Sequence, residues 1–175
     1  MTRARPAPSF WVEALGADHR LDRFACSSAT SGAYLRRQAR NDLRTRTAAV
    51  FVLMREYRRV YGFYALTAHV VHLQNVWPEV ARPLPRSPNL STTLLQHLAV
   101  RSDCSPECKE FLLLDALHRA HSVALRTGSV AVVVNLGDRR DAGEEEFYLG
   151  YGFQELLQDR LWLPMKTVAQ LFAGE

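Results

Sequence analysis

Cysteine and lysine are scarce in this chain, and long apolar runs are missing. Only Cys26, Cys104 and Cys108 occur among 175 residues, too few and too odd in number for a disulfide framework. The longest apolar run, Ala48 to Met54, covers seven residues, far short of the roughly twenty that span a bilayer as a helix. Met1-Thr-Arg-Ala-Arg-Pro6 is cationic like the start of a leader, but Glu13 interrupts the only apolar stretch that follows. No secretory signal is read there, and a reducing, cytoplasmic location without membrane attachment is the expectation. Glycine is absent from Phe63 to Thr127, a gap that matters for any chemistry needing a glycine-rich phosphate loop. What remains, 47% hydrophobic and 23% charged residues, suits one globular domain burying roughly two thirds of its unfolded surface.

The net charge of +4 is unevenly divided. Residues 1–60 carry twelve arginines against five acids, whereas residues 61–175 carry ten basic and thirteen acidic side chains. Lys109 and Lys166 are the only lysines, so nearly every cation is a guanidinium, the group that binds phosphate in a bidentate fork. Residues 1–9 read as a flexible basic arm and residues 10–175 as the domain. Phe10 to Leu15 suits a first strand. Ala29 to Leu43 suits a helix with Ser27, Ser28 or Thr30 as N-cap. Thr47 to Met54 and Val60 to Leu73 form a strand hairpin, with Gly62 read as the mark of a bulge. Four prolines between Pro78 and Pro88 make Asn75 to Leu90 an extended loop. Thr92 to Arg101 follows as a strand, and Pro106 opens a helix that Gly128 ends. The valine-rich Ser129 to Asn135 reads as a buried strand, Glu144 to Leu149 as a short helix and Leu161 to Met165 as a last strand. That order belongs to a mixed α/β or α+β sheet domain.

Among the charged residues, Arg36, Arg37 and Arg40 lie on or beside one face of the expected helix. With Arg44 and Arg46 they form a compact candidate for binding nucleic-acid phosphates, against the simpler reading of a solvated helix face. Cys104-x-x-x-Cys108, His69-x-x-His72 and His118-x-x-His121 have metal-like spacings, but strand residues three apart point to opposite faces and the helical pair lacks nearby acids or cysteines. No metal site is expected. Trp11, Trp77 and Trp162 are too scattered to make a stacking platform.

Several local words in this order resemble the GNAT acetyltransferases and, within them, the toxin branch of bacterial toxin–antitoxin pairs (TacT-like and AtaT-like enzymes). They are Val12-Glu13 with His19, Leu21, Phe24 and Cys26; Tyr34-Leu-Arg-Arg-Gln-Ala39; Val60-Tyr-Gly-Phe-Tyr-Ala-Leu66; Leu98-Ala-Val100; and Phe147-Tyr148 followed by Gly152-Phe153. The resemblance covers roughly residues 10 to 165. It implies a single α+β domain with a mixed, mostly antiparallel central sheet and helices on both faces. It also implies acetyl-CoA as cofactor and an amine as acceptor, with aminoacyl-tRNA favoured.

On the same resemblance, Leu98, Ala99 and Val100 would pair with the pantetheine arm, and Arg101, Ser105 and Lys109 would meet the pyrophosphate. Tyr148 would protonate the departing thiolate, a role suited to a phenol whose ordinary pKa near 10 keeps its proton at neutral pH. An α-amine titrates near neutrality, so no strong general base is required. A homodimer and a ribbon-helix-helix antitoxin are the implied partners. The segment Arg101-Ser-Asp-Cys-Ser-Pro-Glu-Cys-Lys109 departs from the family's glycine turn, since Pro106 has no N–H to donate and Glu107 and Glu110 bring negative charge. A second reading therefore stands beside the enzyme: a catalytically degenerate GNAT-fold module that holds nucleic acid or a protein partner without acetyl-CoA.

Overall fold

The computed structural model describes residues 9–56, 58–137 and 142–174. Most of the expected basic arm and the centre of the charged run 137–146 lie outside the described residues. The strands are β1 (Trp11–Ala14), β2 (Ala49–Glu56), β3 (Arg59–His72), β4 (Asn89–Val100), β5 (Ala131–Asn135), β6 (Gln154–Leu156) and β7 (Arg160–Pro164). The helices are α1 (Ala29–Arg37), α2 (Ala39–Thr45), α3 (Pro78–Ala81), α4 (Pro106–Thr127), α5 (Ala142–Gly150) and α6 (Met165–Leu171). The strands are hydrogen-bonded in the order β1-β2-β3-β4-β5-β7-β6. Pairing is antiparallel for β1 with β2, β5 with β7 and β6 with β7, and parallel for β4 with β5. The fold is α+β with a mostly antiparallel open sheet, as the order of sequence signals implied.

Two compact units divide the chain, residues 1–65 with 97–113 and residues 66–96 with 114–175. In the first, Leu15, Leu21, Phe24, Leu35, Val50, Val52, Met54, Val60 and Phe63 share one apolar cluster. Ser28 starts α1 by accepting a hydrogen bond on its Oγ from Ser31 N at 3.2 Å, satisfying one of the orphan donors of the first turn. The single helix expected from 29 to 43 is two. Gln38 closes α1 by donating to Tyr34 O and opens α2 by accepting from Asn41 N and Asp42 N, so the turn is broken without loss of backbone hydrogen bonds.

In the second unit, Val71, Leu90, Leu94, Ala131, Val133, Leu156 and Trp162 form the apolar cluster. The expected loop from 75 to 90 carries structure of its own, a 3₁₀ turn at Leu73–Asn75 and α3 opened by Pro78, whose missing N–H costs nothing at a helix start. The short β6 and α6 were not legible as separate elements. The β6–β7 connection holds Gln158 and Asp159 at φ +66° and +52°, the two positive values a tight twisted hairpin demands.

Burial along β3 changes character partway. Val60 to Leu66 are all buried, after which exposure alternates from Thr67 to His72. The first stretch is covered on both faces and the second on one. Along α4 the buried residues Cys108, Leu112, Ala116 and Ala120 recur every four residues, with Leu113 and Leu117 widening the stripe, the spacing of one helical face. No helix among the described residues is long and apolar enough to cross a membrane.

Candidate active site

Strand β4 holds the first feature of the site. Its parallel pairing with β5 covers Thr93 to Leu95, and two residues later His97 takes φ +56°, a left-handed conformation that a non-glycine residue rarely adopts inside a strand. A backbone irregularity is thus placed at His97. Gly62 is required by packing: a Cβ there would lie 2.7 Å from Leu112 Cδ1 and 3.0 Å from the carbonyl oxygen of Ala99. Glycine lets β3 pass close against the end of β4 and the start of α4.

His97 is held by aromatic packing. Its ring stacks on Tyr34 with centroids 3.9 Å apart and planes 9° from parallel, and its Nδ1 lies 3.5 Å from Ser31 Oγ. The Tyr34 hydroxyl donates to Asp42 at 3.0 Å. Burial, and then the Asp42 carboxylate that accepts this bond, push the Tyr34 phenol well above its ordinary range, so it stays protonated. Beyond His97, Leu98 and Ala99 are buried and Val100 is half-buried. These three residues have no β5 partner among the described residues, which leaves that strand edge for another hydrogen-bonding chain.

The turn after β4 is built from side chains rather than glycines. Arg101 N donates to Tyr61 O at 2.8 Å and Cys104 N to Arg101 O at 3.0 Å. The Arg101 guanidinium forks onto Asp103 at 2.8 and 2.9 Å, holding that carboxyl below its usual range. At the start of α4, Cys108 N donates to Ser105 O at 3.1 Å. Glu107 is kept below the ordinary carboxylate range by hydrogen bonds from the Ser105 side chain and its own backbone N–H. Burial, with a hydrogen bond to Cys108, pushes the Cys104 thiol up to about 12, so it is neutral and a poor nucleophile or metal ligand. No group of three or more His, Cys, Asp or Glu among the described residues is arranged to hold a metal ion.

Two groups of these residues could hold acetyl-CoA. The unpartnered edge at Leu98 to Val100 suits the amide groups of a pantetheine arm. In place of a glycine turn the start of α4 carries charge, with Arg101 before it and Lys109 in its first turn as the cations that could meet a phosphate, and the Glu107 carboxylate as the group that would oppose an anion there.

Tyr148 lies on α5 with 3% of its surface exposed. Phe147 and Phe153 meet its ring edge-on, at 5.2 and 5.3 Å between centroids. The spacing Phe-Tyr-x-x-x-Gly-Phe has a local cause. Gly152 at φ +89° turns the chain out of the helix, its N–H donates to Leu149 O, and Phe153 N donates back to Tyr148 O at 3.3 Å. This is a glycine helix stop that folds the next aromatic onto the tyrosine.

All five arginines expected to meet nucleic acid are exposed. Two also tie helices to the preceding loop: Arg36 donates to Phe24 O, and Arg40 to His19 O at 2.7 Å and Ala17 O at 3.3 Å. Arg44 donates to Asn41 Oδ1 at 2.8 Å, and Arg46 caps α2 at φ +60°. A guanidinium has five N–H donors, so anchoring one or two leaves others to point outward. The loop they hold contains His19, which accepts from Gly16 N at Nδ1 and reaches Glu13 Oε1 with Nε2 at 2.7 Å. His97 was invisible as a site residue in the sequence, because nothing in Gln-His-Leu-Ala-Val announces a strand irregularity.

By sequence the chain matches no protein-family model and no curated protein. By structure it resembles solved toxins over nearly its whole length. A tyrosine-to-phenylalanine mutant of KacT superposes with a TM-score of 0.84 at 17% identity, covering 93% of this chain and 99% of that one. AtaT complexed with acetyl-methionyl-tRNA gives 0.82 at 21% identity, covering 94% and 99%. A tyrosine-to-phenylalanine mutant of AtaT, bound to the C-terminus of the antitoxin AtaR and to acetyl-CoA, gives 0.78 at 21% over the same shares. The chain therefore has the GNAT acetyltransferase fold in the form these toxins share.

Proposed function

We propose that the protein is a toxin-type N-acetyltransferase that uses acetyl-CoA and acts on the α-amine of an aminoacyl-tRNA. The observation that carries this reading is the end of β4, where His97 takes a left-handed conformation and Leu98 to Val100 run on without a β5 partner among the described residues. Support comes from the neighbours, since AtaT is bound to acetyl-CoA in one structure and to acetyl-methionyl-tRNA in another. When bound, acetyl-CoA supplies a thioester whose carbonyl carbon takes the amine and whose sulfur leaves. Backbone groups of Leu98 and Val100 hold the pantetheine arm in line, and Arg101 and Lys109 balance phosphate charge. The Tyr148 hydroxyl gives its proton to the leaving sulfur. Both KacT and AtaT were solved as tyrosine-to-phenylalanine mutants, which favours a tyrosine in that role. Arg36, Arg37, Arg40, Arg44 and Arg46 contact tRNA phosphates, and an antitoxin like AtaR is the protein partner. The product is an N-acetylated aminoacyl-tRNA and free CoA.

One observation favours the second reading, a binding module without acetyl-CoA: the Glu107 carboxylate at the start of α4, in a turn with no glycine. Isothermal titration with acetyl-CoA separates the two. Micromolar binding that weakens in Lys109→Ala supports the enzyme, and the acetylation of aminoacyl-tRNA is then assayed directly. No heat up to millimolar acetyl-CoA leaves the module.

A further inference from the structure

The break between α1 and α2 joins two side chains that one continuous helix would hold apart. Tyr34 and Asp42 are eight residues apart, about 12 Å along the axis of an unbroken helix, and a helical tyrosine leans toward the N-terminus, away from Asp42. At Gln38, where φ is −114° and ψ −34°, the chain leaves α1 and enters α2. The Tyr34 hydroxyl then reaches Asp42 Oδ2 at 3.0 Å. The second carboxylate oxygen is held too, since Gln38 Nε2 donates to Asp42 Oδ1 at 2.7 Å. Asp42 is also fixed through its backbone, donating from N to Gln38 O at 3.0 Å and accepting on its carbonyl oxygen from Thr47 N at 3.0 Å. The phenol is thus tied to a carboxylate that the end of α2 holds in place.

The other face of this arrangement meets β4. Tyr34 lies flat on the His97 ring, with centroids 3.9 Å apart and planes 9° from parallel. Phe63 packs 6.2 Å from Tyr34 and 6.3 Å from His97, within 20° of parallel to both. A tyrosine tied at its hydroxyl end loses the freedom to swing about its side-chain torsions, so the plane it offers to His97 is set from α2. Ser31 Oγ is 3.5 Å from His97 Nδ1, long for a hydrogen bond, which leaves the stack as the tighter constraint. His97 holds φ +56°, a conformation that persists only where the surroundings over-determine it. Leu98 to Val100 follow at once in the chain, and a change of φ at His97 would re-aim every amide of that edge.

We propose that Asp42 is a positioning residue for acetyl transfer: through the Tyr34 phenol it fixes the His97 ring, and through that ring the left-handed turn that aims the Leu98–Val100 edge at acetyl-CoA. The assignment rests on the reading of that edge as the acetyl-CoA site. In this role Asp42 touches no substrate and moves no proton.

The test turns on glycine, which takes a positive φ without strain and needs no ring to hold it there. Acetyl-CoA affinity is measured by isothermal titration of the full chain across a double-mutant cycle of Asp42→Ala and His97→Gly. Asp42→Ala alone should weaken binding about tenfold, the size of a lost hydrogen bond to a charged group. Tyr34→Phe, which keeps the stack and loses the same bond, should reproduce that loss. In the His97→Gly background, Asp42→Ala should change affinity less than about twofold, because the turn it served no longer needs holding. Equal losses in both backgrounds would assign Asp42 to helix stability alone and overturn the proposal, as would full affinity in Asp42→Ala or in Tyr34→Phe.

NMR of the protein without acetyl-CoA gives a second readout, since the amide–Hα coupling and backbone carbon shifts of residue 97 distinguish a left-handed φ from an extended one. The left-handed signature should be present in the wild type and lost in Asp42→Ala and Tyr34→Phe. A wild type that binds no acetyl-CoA, with the signature lost in both variants, sinks the enzyme reading and keeps Asp42 as the residue that holds the turn. A wild type that binds acetyl-CoA, with the signature intact in both variants, keeps the enzyme and overturns the proposal.

Discussion

The two units treat backbone strain differently. In the second, positive φ on non-glycine residues falls at Gln158 and Asp159, where a tight hairpin needs it and any suitable turn would do. In the first it falls at Arg46, Arg58 and His97, a helix cap, an arginine lining a basic groove and the interior of a strand. His97 has no hairpin to account for it. It keeps that conformation because Tyr34 and Phe63 pack against its ring, and over-determination by packing is what lets strain persist at a site. Side-chain polar contacts also differ. His69 Nε2, Thr92 Oγ1 and Trp162 Nε1 are buried without a hydrogen-bond partner in the second unit, and in the first Arg36 and Arg40 donate to loop carbonyls and Arg101 to the Asp103 carboxylate. The first unit carries the charged contacts and the second an apolar sheet.

The largest expected effect would break this division, because Tyr148 belongs to the apolar unit. Tyr148→Phe should lower kcat by about 10²- to 10³-fold with little change in KM for acetyl-CoA, the size expected when a general acid is removed. Steady-state acetylation of aminoacyl-tRNA reads it, and an unchanged kcat would return Tyr148 to simple packing. Next comes a pair of glycines. Gly62→Ala drives a Cβ against Leu112 and a backbone oxygen and should cost about 1–3 kcal/mol as overpacking. Gly150→Ala meets nothing within 4 Å and should add up to about 1 kcal/mol of helix stability. Urea melts of both variants check the contrast.

His69 sharpens the comparison through pH. Its burial, and then the positive charge of Arg160, lower its pKa from the ordinary 6.5. As pH falls below that value the unfolded chain takes up the proton first, so stability present above it is lost on acidification. The midpoint of thermal unfolding should fall between pH 7.5 and pH 5.5, and His69→Gln should flatten that fall. A slope identical in both proteins would remove His69 from the account. The smallest effect is expected in the charged unit. Glu107→Gln removes a carboxylate from the start of α4 and should tighten acetyl-CoA about two- to fivefold in titration, the scale of a helix-terminus charge.

Much of the fold was legible because its elements carry period and punctuation. Leu113, Leu117 and Ala120 recur at helical spacing between Pro106 and Gly128, and the valines from 130 to 134 suit a strand covered on both sides. The two-helix break at Gln38 was not legible, since the backbone hydrogen bonds that make it cheap leave no mark in composition. Likewise α6 and β6 are too short for a period to emerge. In the site, Tyr148 was readable from its aromatic and glycine neighbours, which form a local helix stop. The arginines from 36 to 46 were readable because they are neighbours in sequence, but two of them share their donors with the 17–24 loop.

Composition and local order settled which stretches become strands and helices, where charge concentrates and which residues could carry acyl-transfer chemistry, because propensity, capping and periodicity act over a few residues. Long-range packing settled the rest. The reason for Gly62 lies in Ala99 and Leu112, the conformation of His97 lies in Tyr34 and Phe63, and the groove of Arg20, Arg23, Arg58, Arg59 and Arg101 exists because backbone bridges join segments up to eighty residues apart. Contacts of that separation depend on how the strands and loops close on one another, and no local rule specifies them.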